Sequence, residues 1–245
     1  MEKLSLPTKK VNKKLSVVLP AYNEEKNIKK VVDSILKFIP AITQSYEIII
    51  VNDGSEDGTG ELIDELANSC EKVIPVHHSS NRGYGAALRS GFRIAKGDLI
   101  FFTDSDGQFD IKELPKLMDL IEEGADIACG YRRKRADPLI RTINARIYNL
   151  AIRVLFNLRI KDIDCAFKLF KKDILKDISL GSDGAFISAE FLIMAKKKGY
   201  IIKEIGVNHF PRREGKQTGN NLRVVFKAFL ELFRFWKKIR KYSGG

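Results

Sequence analysis

Between Phe101 and Asp110 the chain reads FFTDSDGQFD, which brings Asp104, Asp106, Gln108 and Asp110 together directly after an apolar run. Clustered carboxylates repel one another unless a cation sits among them. Two readings fit: a solvated Asp/Gly turn, or an oxygen-donor site for Mg²⁺ or Mn²⁺ at the end of a sheet strand. Two other polar segments have comparable potential. NDGSEDGTG holds Asp53, and AYNEE holds Glu24, an acid that could bind a ligand or simply favour a helix start. NRGYGAALRSG is a glycine-bearing loop entering a helix, where backbone N–H groups can approach a phosphate closely or merely make a tight turn.

These loops need a scaffold, and the sequence supplies one. Short apolar runs, LSVVLP, YEIIIVND, KVIPVHH, DLIFFT and ADIACG, alternate with segments of helical spacing over Glu24–Phe38, Asp57–Ala67, Tyr84–Ala95 and Leu114–Glu122. Continuous apolar strands separated by helices predict a parallel sheet covered on both faces. Ligands of such sheets sit beyond the carboxyl ends of the strands. AYNEE, NDGSEDGTG and TDSDGQ each follow a strand, so all three should meet on that edge. After Gly130 a basic loop precedes a helix over Leu139–Leu158. Then come a strand at Cys165–Phe170, a helix over Ala185–Lys198 with Gly199 as its stop signal, a strand in YIIKEIGVNHF, and a final helix over Leu222–Lys241. The expected organisation is a tail at 1–14, one α/β domain at 15–221, and a basic amphipathic helix with its tail at 222–245.

The 245 residues and 44% hydrophobic content suffice for that core, and 43 Lys+Arg against 31 Asp+Glu give a net charge of +12, which suits an anionic partner. No nucleic-acid motif accompanies the charge, so nucleic acid is not the expected partner. Three widely spaced cysteines suggest neither a zinc site nor a disulfide framework and fit a reducing cytosol. The charged start lacks the apolar core of a signal peptide, and no run approaches the roughly 18 apolar residues of a spanning helix.

Together, VVLPAYNEEKNI, IIIVNDGSEDGT, NRGYGAALRSGF and GDLIFFTDSDGQ resemble, in order, the motifs of family-2 glycosyltransferases with the GT-A fold, a Rossmann-like, mostly parallel sheet. DIDCAFKLF and HFPRREGKQTG resemble, more loosely, the dolichyl-phosphate mannose synthase type, which transfers a sugar to a polyprenyl phosphate. The resemblance implies a donor site in which Pro20, Ala21 and Tyr22 clasp the base, Asp53 hydrogen-bonds it and Glu24 binds the ribose. Gly83 would lie in the loop that shapes the donor pocket, and Ser105 within the DSD motif. It implies a metal held by Asp104, Asp106 and Gln108, with Asp106 central to catalysis; Asp110 has no counterpart. It further implies inversion at the anomeric carbon.

A sugar hydroxyl acceptor needs a general base. A phosphate monoester, with a second pKa near ~6, is already largely dianionic at neutral pH and needs cations instead. Arginines suit that task, and Arg132, Arg141 and Arg212 are the candidates within a basic set that includes Arg213 and Lys216. Asp164 and Glu190 are the candidate bases should the acceptor be a glycan hydroxyl. Glu190 stands where the family often has an acid pair, but its neighbour is Phe191. The final helix carries an apolar stripe through Leu222, Val225, Phe226, Phe229, Leu232, Phe233, Trp236 and Ile239 among basic residues. Such a helix can lie on a membrane or pack on protein. The expectation is a metal-dependent hexosyltransferase peripheral to the cytoplasmic face of the cell membrane, using a nucleotide-sugar donor and a polyprenyl-phosphate acceptor. The alternatives are a glycan hydroxyl acceptor, or a non-catalytic nucleotide-sugar-binding subunit.

Overall fold

The computed structural model describes residues 12–133, 139–212, 214 and 222–242. Its strands are β1 (Leu15–Ala21), β2 (Tyr46–Asn52), β3 (Val73–His77), β4 (Leu99–Thr103), β5 (Ile127–Arg132), β6 (Phe167–Lys171) and β7 (Ile202–Val207). They form one sheet in the order β3-β2-β1-β4-β6-β5-β7. Every pairing is parallel except those of β6, which runs antiparallel to both β4 and β5. The expected mostly parallel sheet is therefore present, with one reversed strand. Pro75 falls in β3, at the sheet edge, where a missing N–H is tolerated.

The helices are α1 (Ile28–Phe38), α2 (Thr59–Ser69), α3 (Tyr84–Ile94), α4 (Leu114–Glu122), α5 (Leu139–Phe156), α6 (Ile174–Asp177), α7 (Ile187–Lys197) and α8 (Leu222–Tyr242). The short α6 lacks a helical period long enough to be read from sequence. The first helix begins at Ile28 rather than Glu24, because residues 24–27 form a turn tied to the next loop: Glu24 N donates to Thr59 Oγ1 at 2.8 Å and Asn23 N to Ser55 Oγ at 3.0 Å. Asp57, just ahead of α2, accepts from Thr59 N at 3.0 Å. Gly199, at φ +85°, ends α7 as expected, and Tyr200 N returns to Ala195 O.

Alternate strand residues feed two cores. Leu15, Val17, Leu19, Ile48, Ile50 and Phe101 face α1, α2 and α4. Val18, Ile49, Val51, Ile100, Phe102 and Phe170 face the layer formed by α3, α5, α6, α7 and α8. Full burial of one such phenylalanine is worth about 3 kcal/mol. The strands read as unbroken apolar runs because both faces are covered.

The final helix divides its apolar stripe. Leu232 is buried, Phe229 packs edge-on to Tyr148, and Phe235 packs against Phe156 and Phe186. Phe233 is 49% exposed and stacks on Trp236, with Lys237 over the Phe233 ring and Arg240 over the Trp236 ring. Protein packing thus accounts for one side of the helix only. No described helix is long and apolar enough to cross a membrane.

Candidate active site

β1, β2 and β4 end side by side, with Ala21 opposite Asn52 and Val18 opposite Phe102. The loops that follow them therefore share one edge of the sheet, as the strand pattern predicts. The DSD segment is fastened there by Ser105, whose hydroxyl donates to Pro20 O at 2.8 Å. Ala21 O in turn accepts from Asp53 N at 2.9 Å.

Asp104 and Asp106 face each other across Ser105. Burial, reinforced by the Asp106 carboxylate, lifts the Asp104 pKa to about 7, while the Arg132 guanidinium pulls the other way. The Tyr84 hydroxyl lies buried beside the Asp104 carboxylate, interacts with it and opposes the rise in its pKa. Two carboxylates that repel at the carboxyl edge of the sheet are what a site for a cation should present. Asp106 Oδ1 accepts from Gln108 N at 3.0 Å, and Gln108 Nε2 donates to Phe210 O at 2.9 Å. Neither bond uses the Gln108 amide oxygen. The set of two carboxylates and an amide suits Mg²⁺ or Mn²⁺. Among the described residues no three His, Cys, Asp or Glu side chains form a metal cage by themselves. A cation here would therefore complete its coordination with other oxygens, as a metal bridging a diphosphate does.

The segment after β7 is clamped over this pair. Glu113 accepts from Asn208 N at 2.6 Å and Asn208 Nδ2 at 3.0 Å, and Phe210 N donates to Gln108 O at 2.9 Å. These bonds bring Arg212 inward. One Nη contacts both Glu24 oxygens at 2.8 Å and the other lies 3.7 Å from Asp106. Asn27 Nδ2 also donates to Glu24, at 2.8 Å. Burial raises the Glu24 pKa, while Asn27 and Arg212 oppose the shift. Glu24 and Arg212, far apart in sequence, thus meet at the acidic pair.

Asp53 is buried and fully engaged. It accepts from Arg82 N at 3.0 Å and Gly83 N at 2.8 Å, and it pairs with His78 Nδ1 at 2.6 Å, whose Nε2 reaches Ser90 Oγ at 2.9 Å. Through these bonds the carboxylate anchors the NRGYG loop. Gly83, at φ +100°, is required there, since a Cβ would stand 2.4 Å from Asp183 O.

Arg132 is not a surface cation. Its side chain is 5% exposed and forks onto Asp162 at 2.6 and 2.7 Å. The same loop is held by Lys168, fully buried, whose Nζ donates to Ile163 O at 3.0 Å and to Cys165 O. Asp164 is exposed in that loop. Glu190 is buried and accepts from Gly181 N at 3.0 Å and Ser182 N at 2.8 Å, so its carboxylate fixes a backbone loop rather than standing open. The Arg141 side chain, Arg213 and Lys216 lie outside the described residues. Sequence reasoning missed His78, Tyr84, Asn27 and Asp162. Tyr84 alone carried a signal, its place between two glycines at the start of α3.

A mixed seven-stranded sheet with acidic loops at the carboxyl edge of its parallel strands defines a GT-A-type fold. Solved structures agree on that fold. Mannosyl-3-phosphoglycerate synthase from Rubrobacter xylanophilus superposes with a TM-score of 0.75 at 15% identity, over 94% of this chain and 75% of that one. Glucosyl-3-phosphoglycerate synthase from Mycobacterium tuberculosis, in complex with Mn²⁺, UDP and glucosyl-3-phosphoglycerate, gives 0.70 at 22% identity, over 90% and 80%. The Glycosyl transferase family 2 model matches residues 16–179, and the chain belongs to that family. It is 31% identical, over 87% of its length, to undecaprenyl-phosphate 4-deoxy-4-formamido-L-arabinose transferase of Yersinia pestis (strain Pestoides F), and spans 64% of that protein.

Proposed function

We propose that the chain is a metal-dependent, inverting hexosyltransferase that moves a sugar from a nucleotide-sugar of the GDP-mannose or UDP-glucose type to a polyprenyl phosphate. The observation that carries this reading is the Asp104–Asp106 pair beside the buried Tyr84 hydroxyl, at the edge where the three acidic loops meet. The 31% identity to a transferase named for undecaprenyl phosphate supports the acceptor class.

Asp104, Asp106 and the Gln108 amide oxygen would hold the divalent cation, which supplies charge neutralisation for the departing nucleoside diphosphate. The NRGYG loop, with its Arg82 and Gly83 N–H groups held by Asp53 and its Gly85 and Ala86 N–H groups held by Asp183 O, would form a fixed wall of the donor pocket. Arg212 reaches over the acidic pair from the other side and can exchange Glu24 for a phosphate oxygen. The acceptor phosphate attacks as a dianion, so no side chain has to take a proton. Glu190, tied to two backbone N–H groups, fits a structural role better than that of a base. The exposed Phe233 and the half-buried Trp236 stacked on it, flanked by Lys237 and Arg240, would rest α8 on the anionic membrane surface that presents the lipid.

Asp164→Asn tests the acceptor class. Transfer to a polyprenyl phosphate should fall less than about 10-fold, whereas loss of a general base costs about 10²–10⁴-fold. A loss of that larger size, with a glycan hydroxyl as the better acceptor, would replace this reading.

A further inference from the structure

Between α3 and the segment around α6 lies a cleft of about 390 Å³ that the transfer chemistry does not use. Its volume falls within the range of small-ligand sites. Arg89 and Arg93, one helical turn apart on α3, face Lys172 and Lys176 around α6, and no acidic residue lines it. The floor is apolar and includes the buried Phe92 and Ile178. Two nearby carboxylates offset part of the charge. Asp183 binds Arg89 at 2.5 Å, and Asp173 binds Lys176 at 2.7 Å in a well-exposed pair. Arg93 makes no hydrogen bond or ion pair among the described residues and Lys172 acts on Asp173 only at longer range, so four cations face two carboxylates and a net positive charge remains over the apolar floor.

Arg89 is the preorganised member, since its other Nη donates to Ser182 O. By the rise of an α-helix, Arg89 and Arg93 stand about 8 and 14 Å along α3 from Tyr84. The cleft is therefore separate from the Asp104–Asp106 pair.

We infer that this cleft is a second anion site, built for a phosphate monoester or similar dianion carried on an apolar body. A dianion matches the excess of four cations over two carboxylates, and paired guanidinium and ammonium donors suit its oxygens. The apolar floor covers the remainder of the ligand. A soluble phosphate ester and the headgroup of an acidic lipid share this chemistry. The inference does not rest on the transferase reading.

Binding to the full chain in EDTA distinguishes the two sources. One arm titrates phenyl phosphate by calorimetry. The other compares vesicles containing phosphatidic acid with vesicles of matched charge containing phosphatidylglycerol. Wild type should bind phenyl phosphate, or prefer phosphatidic acid, at least tenfold more tightly than Arg93→Glu/Lys172→Glu. Arg93→Gln/Lys172→Gln should lose the same binding, with an unchanged melting temperature showing that the fold is kept. Asp106→Ala should retain it, which separates this site from the donor site. Equal binding by the double variants, no binding in either arm, or vesicle binding that follows charge alone would overturn the inference.

Discussion

Asp104 shows how one carboxyl group can record the demand for a cation. Its pKa of about 7 stands above the ordinary 3.8, so the folded chain holds the proton more tightly than the unfolded chain does. Without metal, this group's contribution to stability therefore declines as pH rises from about 4 through 7. A divalent cation competes with that proton. The melting temperature gained on adding Mg²⁺ or Mn²⁺ should accordingly grow between pH 6 and pH 8, and Asp106→Asn should flatten the growth. A metal-induced gain independent of pH would contradict the pairing. Asp162 makes a different case. Removing it strands the buried Arg132 guanidinium, so Asp162→Ala should cost about 3–5 kcal/mol in denaturant unfolding. The DSDGQ and NDGS loops are legible in sequence because local spacing alone gathers their acids. The Arg132–Asp162 fork and the Asp53–His78–Ser90 chain are not legible, since each joins residues on separate elements that meet only after the sheet has formed.

Most of the regular elements could be read from apolar periodicity, β1, β2 and β4 above all, because burial on both faces demands unbroken Val, Ile and Phe. The direction of β6 could not. A strand of the same composition can pair either way, and only the course of the chain through α5 and the 162–165 loop sets it antiparallel. The final helix was legible as amphipathic but not as two-sided, since Phe233 and Phe235 look alike in sequence and point to different surroundings. Phe233→Ala/Trp236→Ala removes one exposed ring and the half-buried ring stacked on it, neither in the core. Stability should change by less than about 1 kcal/mol, while binding to anionic vesicles should weaken by about tenfold or more. Vesicle binding equal to wild type would place the lipid contact elsewhere.

The molecule as a whole separates scaffold from chemistry. Two apolar cores clamp one sheet, and the acidic loops gather at the carboxyl edge of its parallel strands. Members of one family share the first part while differing in donor and acceptor, so the fold narrows the reaction class and the loops must decide the rest. In the proposed reaction the acidic pair, the anchored glycine loop and Arg212 would serve a nucleotide-sugar and its metal at one edge. The most direct test is formation of a lipid-extractable sugar phosphate from a short polyprenyl phosphate, with UDP- and GDP-hexoses supplied in turn. The account predicts product with one donor class in Mg²⁺ or Mn²⁺, none in EDTA, and a fall of at least ~100-fold in Asp106→Ala. Lipid product that persists in EDTA or in the variant would contradict the account, as would metal-dependent transfer to a hydroxyl acceptor with none to the phosphate.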